Sequence, residues 1–213
     1  MSQFFAVHPT HPQPRLIKQA VEIVKAGGVI AYPTDSSYAL GCHIGDKAAM
    51  ERIRIIRKVD ERHHFTLVCR DLSEIGQYAK VDNVQYRLLK AHTPGSYTFI
   101  LRATRELPRR LAHPKRSTIG VRVPDHPVTH ALLAALDEPL LSSTLIAPGE
   151  SVPMNDPDRI RAQFEHQLDL IIDAGPCGIE PTTVIDLSED DPILVRAGKG
   201  DPAPFGFAVE PSA

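Results

Sequence analysis

A single α/β domain, built on a twisted mixed sheet with flanking helices, is the fold that this sequence predicts. Three observations carry that expectation. Segments with helical periodicity alternate with short apolar runs along almost the whole chain. A length of 213 residues suits one large domain. No internal repeat or low-complexity tract divides it. The domain is expected to span residues 1–213, with a core over about 13–200 and a frayed C-terminal tail over about 204–213.

The elements follow in order. Residues 13–26 place Leu16, Ile17, Ala20, Val21 and Val24 at helical spacing, and Gly27-Gly28 stops that helix. Val29–Tyr32 reads as a buried strand ended by Pro33. Asp46 is placed to cap a helix through Ala49, Met50, Ile53 and Ile56. Phe65–Cys69 is a strand, and Asp71 and Asp82 cap two further helices, the second holding Val84, Leu88 and Leu89. Tyr97–Leu101 and Ile119–Val123 are strands, Val128–Leu136 is a helix, and Leu140–Ser143 is a short strand. Residues 147–153 are the richest in turn formers and read as a flexible loop. Asp156-Pro157 marks a helix start, with proline at the tolerated first position. Leu168–Ile172, Thr183–Leu187 and Ile193–Arg196 are late strands.

Composition excludes several classes. With 42% hydrophobic and 23% charged residues the chain is globular and not disordered. Its three cysteines, Cys42, Cys69 and Cys177, have no CxxC spacing, which argues against a disulfide framework and a structural zinc site. The N-terminus lacks a basic segment before its apolar residues, and no run approaches a membrane span. A cytoplasmic, reducing setting without membrane association is the expectation. His126 and His130 have the i, i+4 spacing of a helical metal pair but no HExxH context, so no metal site is expected. There is no GxGxxG, Walker-A or GxSxG string.

Four segments place polar residues at strand ends, where α/β folds build sites. Tyr32–Gly41 runs from a strand into Thr34, Asp35, Ser36 and Ser37, which suits a small polar ligand or a self-satisfied turn. Thr118–Pro124 is an apolar strand interrupted by Arg122, which either binds a carboxylate or phosphate or faces solvent. Ser142-Ser143-Thr144 is a hydroxyl cluster suited to phosphate or to a local turn. Pro181-Thr182-Thr183 leads into a strand, and Arg196 precedes Gly198.

Taken together, these strings resemble the YrdC/Sua5/YciO family of threonylcarbamoyladenylate synthases and their relatives. The resemblance rests on Gly28–Gly41, Thr93–Thr98, Gly120–Pro127, Thr182–Asp186 and Arg196–Gly198, and it spans about Gln13 to Gly200. The opening residues, Phe65–Leu72 and Pro181–Leu187 are most similar to the YciO branch. The resemblance implies a YrdC-like open sheet with a large concave basic surface. It also implies a nucleotidyltransferase, an L-threonylcarbamoyladenylate synthase that joins L-threonine, bicarbonate and ATP for tRNA modification. ATP would be a substrate, Mg²⁺ would accompany it, and no prosthetic group is implied. Double-stranded RNA or tRNA is the implied macromolecular partner.

Carried over residue by residue, the resemblance places Thr34, Arg122, Ser142 and Thr182 on threonine. It places Arg57, Thr118, Thr144 and Arg196 on the nucleotide, with Arg57 and Arg122 as the catalytic cations. Two strings depart from the synthases. Their Lys-x-Arg-Pro is Arg57-Lys58-Val59-Asp60 here, and their Ser-x-Asn is Thr144-Leu145-Ile146. The resemblance therefore also fits a non-catalytic RNA-binding protein of the same fold.

Charge is segregated along the chain. Residues 51–122 carry 16 Lys/Arg against 7 Asp/Glu, and residues 123–213 carry 4 against 16. Arg102, Arg105, Arg109, Arg110, Lys115 and Arg116 form the densest basic run and are the expected RNA-binding surface. The alternative is a solvated face neutralised by the acidic third after folding.

Overall fold

A computed structural model describes residues 1–208, and among these the chain forms ten strands and six α-helices around one mixed sheet. After β1 (Gln3–Ala6), helix α1 (Pro14–Lys25) buries Ile17, Ala20, Val21 and Val24, the apolar stripe of its sequence. Gly27 follows at φ +88°, a left-handed conformation that glycine adopts without steric cost. Strand β2 (Ile30–Tyr32) turns through residues 33–38 into β3 (Ala39–His43).

Each expected aspartate cap forms. Asp46 accepts from the Ala49 N–H at the start of α2 (Lys47–Arg57), and Asp71 accepts from the Glu74 N–H at α3 (Leu72–Tyr78). Asp82 and Gln85 form a reciprocal capping box on α4 (Asn83–His92). Asp156 accepts from the Asp158 N–H at α6 (Pro157–Phe164). Helix α5 spans Pro127–Leu136. The remaining strands are β4 (Thr66–Val68), β5 (Tyr97–Arg102), β6 (Thr118–Arg122), β7 (Leu140–Thr144), β8 (Leu170–Asp173), β9 (Thr183–Asp186) and β10 (Ile193–Arg196).

The strand order is β1-β8-β2-β3-β7-β4-β6-β5-β9-β10, with parallel and antiparallel neighbours intermixed. Side chains alternate across each strand, so the two faces differ in chemistry. On one face Leu67, Phe99, Ile119, Val121, Leu141 and Ile185 join helices α2, α3, α4 and α6 in the larger apolar cluster. On the other, α1 and α5 cover β8, β2 and β3, packing Val24 and Leu132 with Ile30, Tyr32 and Ile172. That second cluster reaches Val68 of β4 and includes nothing from β6, β5 or β9. Half of this face is left uncovered, and the site lies there.

Several expectations needed correction. Strands β1 and β3 were not foreseen. Strand β3 is buried along nearly its whole length, yet its Ala-Leu-Gly-Cys-His sequence carries little β-branched signal. His126 does not share a helical face with His130. It is the N-cap of α5 and accepts from the Val128 N–H, while His130 contacts the Pro124 carbonyl. The described part of the expected tail, residues 204–208, is not frayed throughout. Phe205 is buried against Tyr97 and Phe99, with ring centroids 5.6 and 5.7 Å away. The rest of that expected tail, residues 209–213, lies outside the described residues. No helix among the described residues is long and apolar enough to cross a membrane.

Candidate active site

The uncovered half-face forms a cavity of about 460 Å³, within the range of small-molecule sites. Its floor is the polar register of adjacent strands: Thr66 and Val68, Thr98 and Ile100, Thr118, Gly120 and Arg122, Ser142 and Thr144, then Thr182, Val184 and Asp186. In β6 the residues alternate: Ile119 and Val121 belong to the larger apolar cluster, Ile119 also reaching the cavity lining, while Thr118, Gly120 and Arg122 line the cavity. Gly120 keeps the floor deep. A Cβ there would sit 3.3 Å from Thr66 Oγ1 and 3.4 Å from Thr98 Cγ2.

Four guanidinium side chains line this space: Arg57, Arg116, Arg122 and Arg196. Arg122 is 8% exposed, and the partner that its apolar strand demanded is Asp35, with Nη2 2.5 Å from Oδ1. The second Asp35 oxygen accepts from Ser96 Oγ at 2.6 Å, and Lys199 Nζ donates to the Asp35 carbonyl. Arg122 Nη1 also reaches Ser36 Oγ at 3.3 Å, and Ser36 Oγ lies 3.1 Å from Thr34 Oγ1. Thr34 is therefore two hydrogen bonds from Arg122. It does not line the cavity, and its hydroxyl donates to the Ser37 carbonyl at 2.6 Å.

Arg57, from the end of α2, donates through Nη1 to Ser143 Oγ (2.6 Å) and to the Thr144 carbonyl (2.5 Å). Burial pulls its ionisation below the usual arginine range. Arg196 donates to the Thr182 carbonyl at 2.9 Å and to Thr182 Oγ1 at 3.3 Å. Burial, and secondarily the charge of Arg122, depress it as well. Thr182 Oγ1 lies 2.9 Å from Thr98 Oγ1. Ser142 is buried with its hydroxyl committed to the Leu40 carbonyl (3.0 Å) and Tyr32 OH (2.7 Å). Two buried donors on these arginines, Arg57 Nε and Arg122 Nε, have no hydrogen-bond partner among the described residues.

Arg57, Thr118, Arg122, Ser142, Thr144, Thr182 and Arg196 thus all meet at one cavity, and Thr34 stands behind it. Ile146 is part of the lining, but Val59 is not. The Val59 N–H instead donates to the Arg54 carbonyl beyond the end of α2.

Sequence reasoning missed Asp35 as the arginine's partner, and it missed His63, His64 and His113 in the lining, while Ser143 and Asp186 lay in strings that it singled out without giving either a role of its own. The period-two alternation of Thr98, Thr118 and Thr182 with core residues was the signal that identifies this face. His63 Nε2 lies 2.9 Å from Ser143 Oγ. Burial, then the positive charge of Arg57, lowers His63 to about 4. Burial raises Asp186, but hydrogen bonds from Ser188 and Arg116 outweigh it and hold the carboxyl below its usual range.

Of the basic run, Arg116 pairs with Asp186 at 2.5 Å and Arg102 with Glu189 at 2.9 Å. Arg110 donates to the Gly45 carbonyl at 2.7 Å. Arg105, Arg109 and Lys115 are exposed and form no ion pair among the described residues. Two of the six cations are neutralised by the acidic third of the chain.

Comparisons with known proteins find similar sequences and similar folds. The family model Sua5_yciO_yrdC, described as telomere recombination, matches residues 22–198. The chain is 60% identical over 205 residues to the Escherichia coli K12 protein described as uncharacterized protein YciO, covering 96% of this chain and all of that one. The crystal structure of E. coli YciO superposes with a TM-score of 0.93. A threonylcarbamoyl-AMP synthase of Chromohalobacter salexigens is 30% identical over 176 residues, which cover 82% of this chain and 94% of that protein. The P. abyssi Sua5 structure complexed with L-threonine has a TM-score of 0.85 at 23% identity, over 99% of this chain and 66% of that one, and shares the fold.

Proposed function

Because the chain belongs to the Sua5/YciO/YrdC family, we propose that its cavity binds ATP, L-threonine and bicarbonate and slowly forms L-threonylcarbamoyl-AMP for tRNA modification. The observation that carries this reading is that two arginines lining the cavity, Arg57 and Arg122, each keep a buried Nε–H without a hydrogen-bond partner among the described residues. Nearly all buried donors are satisfied in folded proteins, so two orphans on cationic side chains favour an anionic ligand. Arg122 and Thr182 take the threonine side, with Thr34 behind them and Ser142 in the floor. Arg57, Thr118, Thr144 and Arg196 take the nucleotide side. The hydrogen bond from Arg196 to Thr182 supports a junction where the two sides meet.

At that junction a carbamate oxygen forms a bond to the α-phosphorus as the bond to pyrophosphate breaks. Fixed guanidinium charges are worth most where negative charge builds in this step. Holding two anionic reactants in register supplies the rest of the advantage. Mg²⁺ bound to the triphosphate would offset part of its charge. Among the described residues no group of three or more His, Cys, Asp or Glu is placed to hold a metal.

Ile146 supports the expectation that synthesis is slow, since it puts an apolar wall beside the phosphates. Ile146→Asn should raise pyrophosphate release about tenfold with all three substrates present, equivalent to about 1.4 kcal/mol from one restored amide contact. Val59→Arg alone should change the rate little, because Val59 lies outside the lining. No gain from Ile146→Asn, or an equal gain from Val59→Arg, would contradict this assignment.

A second reading, RNA binding without catalysis, is favoured by Arg105, Arg109 and Lys115, which are exposed and form no ion pair among the described residues. Affinity for duplex RNA should then fall steeply as salt rises, with little sequence preference. Salt-insensitive binding in a filter or polarisation assay would count against it.

A further inference from the structure

We infer that His63 and Ser143 form, with Arg57, a proton-linked subsite for a compact oxyanion such as a phosphate or sulfate group. The inference rests on reading the cavity as an anion site, and it adds to Arg57 a role for His63, to which neither the sequence nor the comparisons give one, and a defined set of partners for Ser143. Arg57 Nη1 and His63 Nε2 converge on one hydroxyl, Ser143 Oγ, at 2.6 and 2.9 Å. All three residues line the cavity.

A guanidinium only donates, so Arg57 fills one lone pair of Ser143 Oγ. While His63 is neutral, the serine hydrogen can be spent on Nε2. Once Nε2 carries a proton it must donate instead, and both serine lone pairs are then filled. The hydroxyl hydrogen is released toward the cavity. One proton, taken from solvent onto His63 Nε2, therefore turns a subsite with one positive charge into one with two charges and a free O–H donor.

The surroundings set the direction of this equilibrium. Helix α2 presents Arg57 and Arg54 to His63, the following loop presents Asp60 and His64, and β7 presents Ser143. The Phe65 ring meets the imidazole edge-on at 5.3 Å. Burial, Arg57, His64 and Arg54 all disfavour the proton, and only Asp60 favours it. Without ligand His63 is neutral near pH 7. An anion beside Arg57 cancels part of that repulsion and draws the proton on. His64 and His113 extend the same wall, their ring centroids 4.9 Å apart.

Sulfate is the probe, because its charge is constant from about pH 4 to about pH 8, which covers the range where His63 titrates. Histidine ring protons are followed by NMR through a pH titration of the wild-type protein, with sodium sulfate or with sodium chloride of equal ionic strength. The apparent His63 pKa should rise by about one unit or more under saturating sulfate. Because His63 starts at about 4 without ligand, sulfate affinity should grow as pH falls from about 6 to about 4, by at most about tenfold for each unit by which sulfate raises that pKa. His63→Gln should flatten that dependence, and His63→Arg should bind at every pH without it. An unmoved His63 titration, or equal pH dependence in wild type and His63→Gln, would overturn the inference. Threonylcarbamoyl-AMP is assayed on the same preparations. Proton-linked sulfate binding without synthesis would leave the subsite standing and remove the synthase reading, and synthesis with pH-independent sulfate binding would do the reverse.

Discussion

Arg122→Ala should destabilise the protein by about 3–5 kcal/mol, because it strands a buried carboxylate in place of an ion pair. Asp35 and Arg122 side chains are only 8% and 10% exposed, and the contact is 2.5 Å. Few other single substitutions of a polar residue should cost as much. The charge on Asp35 is what makes the loss large, so Asp35→Asn in the same background should recover part of it. Chemical denaturation of Arg122→Ala, Asp35→Asn and the double variant forms a cycle that isolates the coupling. Additive losses would mean that the pair is not coupled. Arg122→Lys keeps a charge but not the fork, so it should fold and yet lose most of its affinity for threonine.

Arg57→Ala should fold well and fail in chemistry. Its guanidinium is only partly buried and its hydrogen-bond acceptors, Ser143 and Thr144, remain near the cavity. Removing one fixed donor from a developing anion typically costs about 10²–10³ in turnover. The loss should appear in kcat with ATP and threonine both saturating, since the proposed role of Arg57 is to act where charge builds at phosphorus. A change confined to KM would reduce Arg57 to a binding residue.

Much of the scaffold was legible because local chemistry and global fold agree. Asp46, Asp71, Asp82 and Asp156 cap the helices they introduce, and the apolar stripe of α1 is the face it buries. The residues that converge on the cavity were legible mainly through strings spread over the chain, since no single one specifies a site. What the sequence hid was pairing. Asp35 and Arg122 are 87 positions apart and meet only through strand order. Ser143 was read as part of a hydroxyl cluster, yet its meaning comes from α2 and the loop after it, which bring Arg57 and His63 onto one oxygen. Strand β3 was hidden for another reason. Burial in the middle of the sheet overrides the weak strand preference of its Gly and Ala.

The central claim is that this cavity joins threonine, bicarbonate and ATP. It is tested most directly by incubating the protein with ATP, L-threonine and ¹³C-bicarbonate and analysing the products by mass spectrometry. The account predicts a threonylcarbamoyl-AMP bearing one ¹³C, absent when threonine is omitted, strongly reduced in Arg57→Ala and increased in Ile146→Asn. A labelled adduct that forms equally in Arg57→Ala, or no adduct with wild type and Ile146→Asn alike, would contradict it.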